Sequence, residues 1–196
     1  MIKIENLSVL FPNFSLEFND VLFKTGHITF VTGKNGVGKS TFLKSIGKLI
    51  PYEGTITYKG FATYHSQEPL LFNRSVIDNI IYPLKIRKRA IKHYQEAINQ
   101  YAEILDIDHL LNRPAKELSS GETMKVSLIR SIIFHPEIVL LDEPTTHLDL
   151  ESIEQLKVLL KKLKSSITFI IVSHNKAFID DLQDAIYHLG GNHVFS

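Results

Sequence analysis

The run Gly33-Lys34-Asn35-Gly36-Val37-Gly38-Lys39-Ser40-Thr41 constrains this chain more than any other feature. It fits G-x-x-x-x-G-K-[ST] and lies between an apolar, β-branched segment, His27 to Thr32, and a helical stretch from Lys39 to about Leu49. Glycines let the backbone curl until successive N–H groups point inward, and the helix amino terminus adds partial positive charge. Lys39 is expected to reach the β- and γ-phosphates of a nucleoside triphosphate. The Ser40 hydroxyl is expected to ligate Mg2+, which prefers hard oxygen ligands. A Gly-rich turn with a surface lysine is the plainer alternative, and the motif alone does not choose among kinases, GTPases and motors.

A second apolar run, Ile138 to Leu141, ends in Asp142 and Glu143 and is stopped by Pro144. A strand of a parallel sheet is buried along its length and opens at its carboxyl end onto the ligand crevice. Asp142 is thus placed to hold Mg2+ through its water shell, and Glu143 to face an attacking water as general base. Two solvated acids capping a strand are the alternative. Strand character returns at Ile167 to Val172, with an amphipathic helix, Leu150 to Leu163, between the two runs. Such alternation argues a parallel sheet with helices on its faces.

Elsewhere, Ile2, Ile4, Leu7 and Val9 alternate in part, and Phe14, Leu16 and Phe18 alternate with Ser15 and Glu17 as a half-buried strand does. Gly54 and Gly60 bracket a short strand at Thr55 to Tyr58. From Ser75 to Phe134 the apolar period is helical. Ile91, Tyr94, Ile98, Tyr101 and Leu105 suit a helix packed into the domain better than a coiled-coil arm, which needs more heptads.

Composition removes several function classes. Cysteine is absent, which excludes disulfides, thiolate metal sites and cysteine nucleophiles. The nine histidines show no metal-binding spacing. Net charge is +1, so no global field draws the chain to nucleic acid or anionic lipid. The basic run Lys85, Arg87, Lys88, Arg89 and Lys92 reads as a solvated face, with a nucleic-acid or lipid contact as the alternative. No apolar run reaches the roughly 18 residues of a membrane span, and a cytoplasmic location is expected.

Leu118-Ser119-Ser120-Gly121-Glu122 opens a helix expected to run to about His135. It resembles Leu-Ser-Gly-Gly-Gln, the signature of ABC (ATP-binding cassette) ATPases. Ser119 and Gly121 match; Ser120 replaces a glycine and Glu122 a glutamine. Alone, the pentapeptide is also an ordinary helix cap. It lies, as in that family, after a helical stretch and before the Asp142 strand. Gln67, in His65-Ser66-Gln67-Glu68-Pro69, resembles the Q-loop glutamine. Thr146-His147-Leu148-Asp149 resembles the D-loop, and Val172-Ser173-His174 ends like the switch-histidine strand. Phe11 lies where an aromatic commonly stacks on adenine. The resemblance covers the chain from end to end.

The resemblance implies an α/β fold: a P-loop NTPase core with a mixed, mostly parallel sheet flanked by helices, amino-terminal antiparallel strands and an inserted α-helical subdomain. Residues 1–68 and 136–196 would form the core of a single domain spanning 1–196, and 69–135 the helical subdomain carrying the signature. ATP and Mg2+ are the implied ligands. Phe11, Gly33, Asn35, Gly36, Val37, Gly38, Lys39, Ser40 and Thr41 would hold the nucleotide; Ser40, Gln67 and Asp142 the metal; Glu143, His174 and Lys39 would act in hydrolysis. Ser119, Ser120, Gly121 and Glu122 would cover ATP on a second copy or a homologous cassette, with Asp149 in the D-loop.

A transporter motor subunit follows, peripheral on the inner face of the cell membrane, driving a separate transmembrane permease. Leu70, Leu71, Phe72 and the segment Ser75 to Leu84 resemble the permease-docking region, with burial inside the helical subdomain as the alternative. The stretch from Phe72 to Ile86 faintly resembles metal-oxyanion importers. No nucleic-acid partner is expected. A soluble ABC ATPase acting on ribosomes or DNA is the competing reading, though the former kind usually carries two cassettes and the latter very long coiled-coil inserts. A non-hydrolysing scaffold is disfavoured by Glu143 and His174 together.

Overall fold

The structure, a computed structural model, describes residues 1–190 and the backbone of 192–195. In chain order the strands are β1 (Ile2–Phe11), β2 (Phe14–Glu17), β3 (Val21–Phe23), β4 (Ile28–Thr32), β5 (Glu53–Thr57), β6 (Ala62–His65), β7 (Ile138–Asp142), β8 (Thr168–Val172), β9 (Ala185–His188) and β10 (Asn192–Phe195). The helices are α1 (Lys39–Ile46), α2 (Val76–Ile86), α3 (Gln95–Ile104), α4 (Ser120–Ile132), α5 (Leu150–Leu163) and α6 (Lys176–Leu182).

Five parallel strands form one sheet in the order β6-β7-β8-β4-β9. β7 and β8 are buried at every position, as a strand covered on both faces must be. Successive side chains face opposite ways, so each strand feeds two cores. Val139, Leu141, Phe169 and Ile171 pack with α2 to α6; Ile138, Leu140, Ile170 and Val172 pack with α1 and the second sheet. That second sheet is antiparallel: β1 pairs with β2, β3 and β5, and β2 with β10. The two sheets are thus an all-parallel one and an all-antiparallel one, joined through a core.

The partial alternation of β1 has a local cause. Its register against β5 shifts between Glu5 and Ser8, where Asn6 takes a φ of 49°. Such a bulge moves Leu7 and Val9 onto the buried face that Ile2 and Ile4 already occupy.

Two helices end earlier than the sequence suggests. α1 stops at Ile46 because Lys48 turns left-handed at φ 55°; Lys48 N–H then donates to the Ser45 carbonyl and Leu49 N–H to that of Lys44. These are the two bonds of a Schellman stop, and they turn Leu49 out to solvent. α4 ends at Ile132, three residues before the left-handed His135. The run from Ile91 to Leu105 is a single 3-10 turn followed by α3, and its apolar face packs onto the core shared with Val139 and Leu141. It is a packed helix and not an arm. Strands β3, β6 and β9 have no counterpart in the sequence reading; each is four residues or shorter, too short to display a period of its own.

Candidate functional site

The carboxyl ends of the parallel strands open onto a cavity of about 640 Å³. Asn35, Gly36 and Gly38 line it from the loop after β4, and Lys39, Ser40 and Thr41 from the first turn of α1; Gln67 follows β6; Asp142 ends β7, with Glu143 and Thr146 just after it; Val172 ends β8, with His174 just after it. Adjacent parallel strands end on the same edge of the sheet, so residues far apart in sequence meet there.

The loop after β4 is shaped by glycine at two points. Gly36 and Gly38 have φ of 78° and 95°, and a Cβ on Gly38 would stand 2.7 Å from Leu16 Cδ1. Gly38 is also the N-cap of α1 and leaves that helix without a side-chain cap. The uncapped turn, Lys39 to Thr41, forms part of the cavity wall. Lys39 is only 9% exposed, and its ammonium folds back over the loop, donating to the carbonyls of Gly33 (3.0 Å) and Lys34 (3.1 Å).

Opposite the loop stand two unlike carboxylates. Asp142 is buried; its Oδ2 accepts from the Tyr64 hydroxyl at 2.8 Å, and its Oδ1 has no hydrogen-bond partner. Burial first, and then the Asp142 carboxylate, push the Tyr64 phenol well above its ordinary range, so it remains a donor. Glu143 sits at φ 50°, a rare conformation for a side-chain-bearing residue, pinned by its N–H to the Val172 carbonyl at 2.9 Å. Its Oε2 accepts from the His174 backbone N–H at 3.2 Å, and His174 Nε2 stands 3.3 Å from Oε1 without hydrogen-bond alignment. Desolvation raises the Glu143 carboxyl above its ordinary range; the His174 N–H and ring offset part of that, while Asp142 adds to it. A carboxylate with raised proton affinity, at a strand end beside a histidine, suits a general base.

Other residues singled out from the sequence lie outside this cavity wall. Gly33 and Val37 shape the loop from behind it. Phe11, at the end of β1, stacks on Phe14 with centroids 4.6 Å apart and planes 12° apart. Ser119, Ser120, Gly121 and Glu122 form the amino terminus of α4 and are absent from the cavity lining. There Glu122 Oε2 accepts from Ser119 N–H (2.7 Å) and Oγ (2.8 Å), while Ser119 Oγ accepts from Glu122 N–H (3.2 Å). This capping box lowers the Glu122 carboxyl, chiefly through the Ser119 backbone bond. A Cβ on Gly121 would come within 3.0 Å of the His147 carbonyl, so the α4 terminus is packed against the loop after β7. Asp149 caps α5, accepting from Ser152 N–H at 2.8 Å.

Sequence reasoning missed Tyr64, which carries no motif and reaches Asp142 only through strand pairing. A second hollow, about 360 Å³, is bordered by Tyr64, Leu70, Phe72, Tyr82, Ile86, Arg87 and Arg130 among others. Leu70 is 86% exposed there and Phe72 and Ile86 are exposed too, whereas Val76, Ile80 and Leu84 are buried. The segment read as a docking region is therefore divided between an apolar surface and the core. Among the described residues no helix is long and apolar enough to cross a membrane.

Comparison with known proteins follows the same lines. Residues 18–146 match the family model for ABC transporters. The tungstate uptake system ATP-binding protein TupC of Peptoclostridium acidaminophilum is 33% identical over 190 residues, covering 91% of this chain and 89% of that protein. The molybdate/tungstate import ATP-binding protein WtpC of Methanocaldococcus jannaschii is 36% identical, covering 90% of this chain and 63% of that one. A solved structure of an ATP binding subunit of an ABC transporter superposes with a TM-score of 0.89 at 19% identity, covering 98% of this chain and 89% of that one, a likeness of fold alone. The chain belongs to the ABC transporter family and is an ATP-binding, ATP-hydrolysing subunit of it.

Proposed function

We propose that this subunit binds ATP with Mg2+ in the cavity at the strand ends, hydrolyses it as half of a head-to-tail pair, and thereby drives a separate membrane permease. The observation that carries the reading is the convergence of Lys39, Ser40, Gln67, Asp142, Glu143 and His174 on one cavity. The donors suit a hard divalent cation: a hydroxyl from Ser40, an amide oxygen from Gln67, and the carboxylate of Asp142, whose Oδ1 is buried and unpartnered. Mg2+ bound there would neutralise charge on the β- and γ-phosphates as the bond between them breaks.

The remaining steps belong to the chain. Lys39 exchanges the Gly33 and Lys34 carbonyls for phosphate oxygens, which charge makes the better acceptors. The N–H groups from Gly33 to Thr41 receive the rest of the phosphate charge, and Phe11 offers its ring to adenine. Glu143 accepts a proton from the water whose oxygen attacks the γ-phosphorus. ADP departs with the bridging oxygen, and inorganic phosphate is released. His174, against Glu143, steadies that carboxylate and reaches the γ-phosphate.

In this reading Ser119, Ser120, Gly121 and Glu122 cover the nucleotide held by the partner cassette, with Asp149 and its loop beside the seam. Residues 1–68 and 136–196 act as the catalytic core, and 69–135 as the helical subdomain that carries the signature. The hollow around Leu70, Phe72 and Ile86 receives the permease, which holds the subunit on the inner face of the membrane. Since the two named relatives serve tungstate and molybdate uptake, an oxyanion importer is the first system in which to look for that permease.

Hydrolysis measured against protein concentration tests the reading. The rate per chain should climb with concentration as pairs form. A steady rate per chain down to concentrations far below pairing would overturn the two-cassette site.

A further inference from the structure

We propose that Tyr64 is a positioning residue for Asp142, holding one carboxylate oxygen so that the other is presented, unpartnered, for the metal's coordination shell. This rests on the reading of Asp142 as the metal-side acid.

The two residues come from neighbouring strands. β6 and β7 run parallel, with Tyr64 opposite Leu140 and His65 opposite Leu141, so Asp142 lies just beyond the pairing, within reach of the Tyr64 side chain. The phenol O–H donates to Asp142 Oδ2 at 2.8 Å. Among the described residues no other side chain is hydrogen-bonded to Asp142, and Oδ1 is buried without a partner. A carboxylate turns readily about its last torsion, and burying one with no donor is costly. With Oδ2 anchored, the group is left with one orientation and one unused oxygen.

The coordination partners of a metal depend on such outer contacts for their aim as well as their charge. A phenol that merely needed somewhere to bond would contribute to stability alone. A phenol that aims Asp142 contributes to the part of nucleotide affinity that requires the metal, and that difference can be measured.

The experiment uses the full chain and a fluorescent ATP analogue, titrated once in EDTA and once in excess Mg2+. The ratio of the two affinities is the metal gain. Tyr64→Phe should leave the EDTA affinity unchanged and reduce the metal gain about tenfold. In an Asp142→Asn background the same substitution should add nothing, because Tyr64 acts through that carboxylate. Incorporating p-aminophenylalanine at position 64 places an N–H donor at the same reach and should restore the gain. Incorporating p-methylphenylalanine fills the same volume without a donor and should not. That pair decides the matter even if Tyr64→Phe fails to fold. An unchanged metal gain in Tyr64→Phe, or equal gains for the two analogues, would overturn the proposal while leaving Asp142 in place. A native-like metal gain in Asp142→Asn itself would overturn the metal assignment, and the proposal with it.

Discussion

Helices α1 and α4 both begin where an anion could sit, but α1 is uncapped and α4 is closed by its own side chains. The N-cap of α1 is Gly38, which has no side chain to offer, and its first turn lies on the cavity wall. The N-cap of α4 is Ser119, locked with Glu122 in a reciprocal box that uses the serine hydroxyl, its N–H and the carboxylate. A helix start with free N–H groups is a ready phosphate site. At α4 the box engages the N–H groups of Ser119 and Glu122 but not those of Ser120 and Gly121, so an incoming phosphate would compete with the carboxylate at Ser119 alone. In the proposed reading α1 offers a free helix start to its own nucleotide, whereas α4 would meet a partner's with the Ser119 and Glu122 N–H groups already engaged in the box.

The two glutamates repeat the contrast. Burial at the strand end raises the Glu143 carboxyl, whereas the cap bonds at the helix start lower that of Glu122. The first takes up a proton at a higher pH than an ordinary carboxyl does, and the second stays ionised further into acid.

Lys39→Ala attacks the uncapped end most directly. Losing the ammonium that folds over the loop should cost about 3 kcal/mol of ATP binding, roughly a hundredfold, by fluorescent-nucleotide titration. Unchanged binding would refute its phosphate role. Glu143→Gln should keep ATP binding, cut turnover about 10²- to 10³-fold, and hold an ATP-dependent dimer in size-exclusion chromatography. A monomer peak unmoved by ATP would count against Glu143 as the base. Because its carboxyl is raised, native turnover should fall on acidification through a window above the ordinary carboxylate range, where the base takes up a proton. A rate flat through that window would mean that another group accepts the proton.

Glu122→Gln sharpens the contrast by removing a negative charge from the closed end. ATP-driven pairing should tighten about fivefold, measured by the ATP concentration that produces dimer. Weaker pairing would mean that the carboxylate aids closure. Since the folded Glu122 carboxyl is lowered, its stabilising share is present above the ordinary carboxylate range and lost as pH falls through the lower, folded value. The glutamine variant should lack that acid limb in a melting series. Ser119→Ala has the smallest effect: loss of the cap should cost about 1 kcal/mol and lower Tm by about 2–4 °C, with ATP affinity in the cavity unchanged.

Much of this contrast is legible in the sequence. The glycines, Lys39 and Ser40 announce α1 and its loop, and Ser119 with Glu122 three residues on is a capping pattern in its own right. That the cap consumes the carboxylate is not legible, because a glutamate in that place reads as a substitute for the family's glutamine. The apolar pattern overstates the lengths of α1 and α4, since Lys48 and His135 carry no mark of the left-handed turns they make.

By itself the sequence determined what depends on neighbours along the chain. Apolar runs become buried strands, glycines permit the loop to curl, and the order of the motifs identifies the family, because local sterics and periodicity act over a few residues. The tertiary structure alone decided which strand ends lie side by side. Strands β6 and β9, nearly without apolar pattern, exist only through pairing with β7 and β4. The pairing of β6 with β7 and of β7 with β8 brings Gln67, Asp142 and His174 to one edge, and the former sets Tyr64 against Asp142. Register between distant segments is set by the fit of two cores across a sheet, a property of the assembled chain that no stretch of it carries.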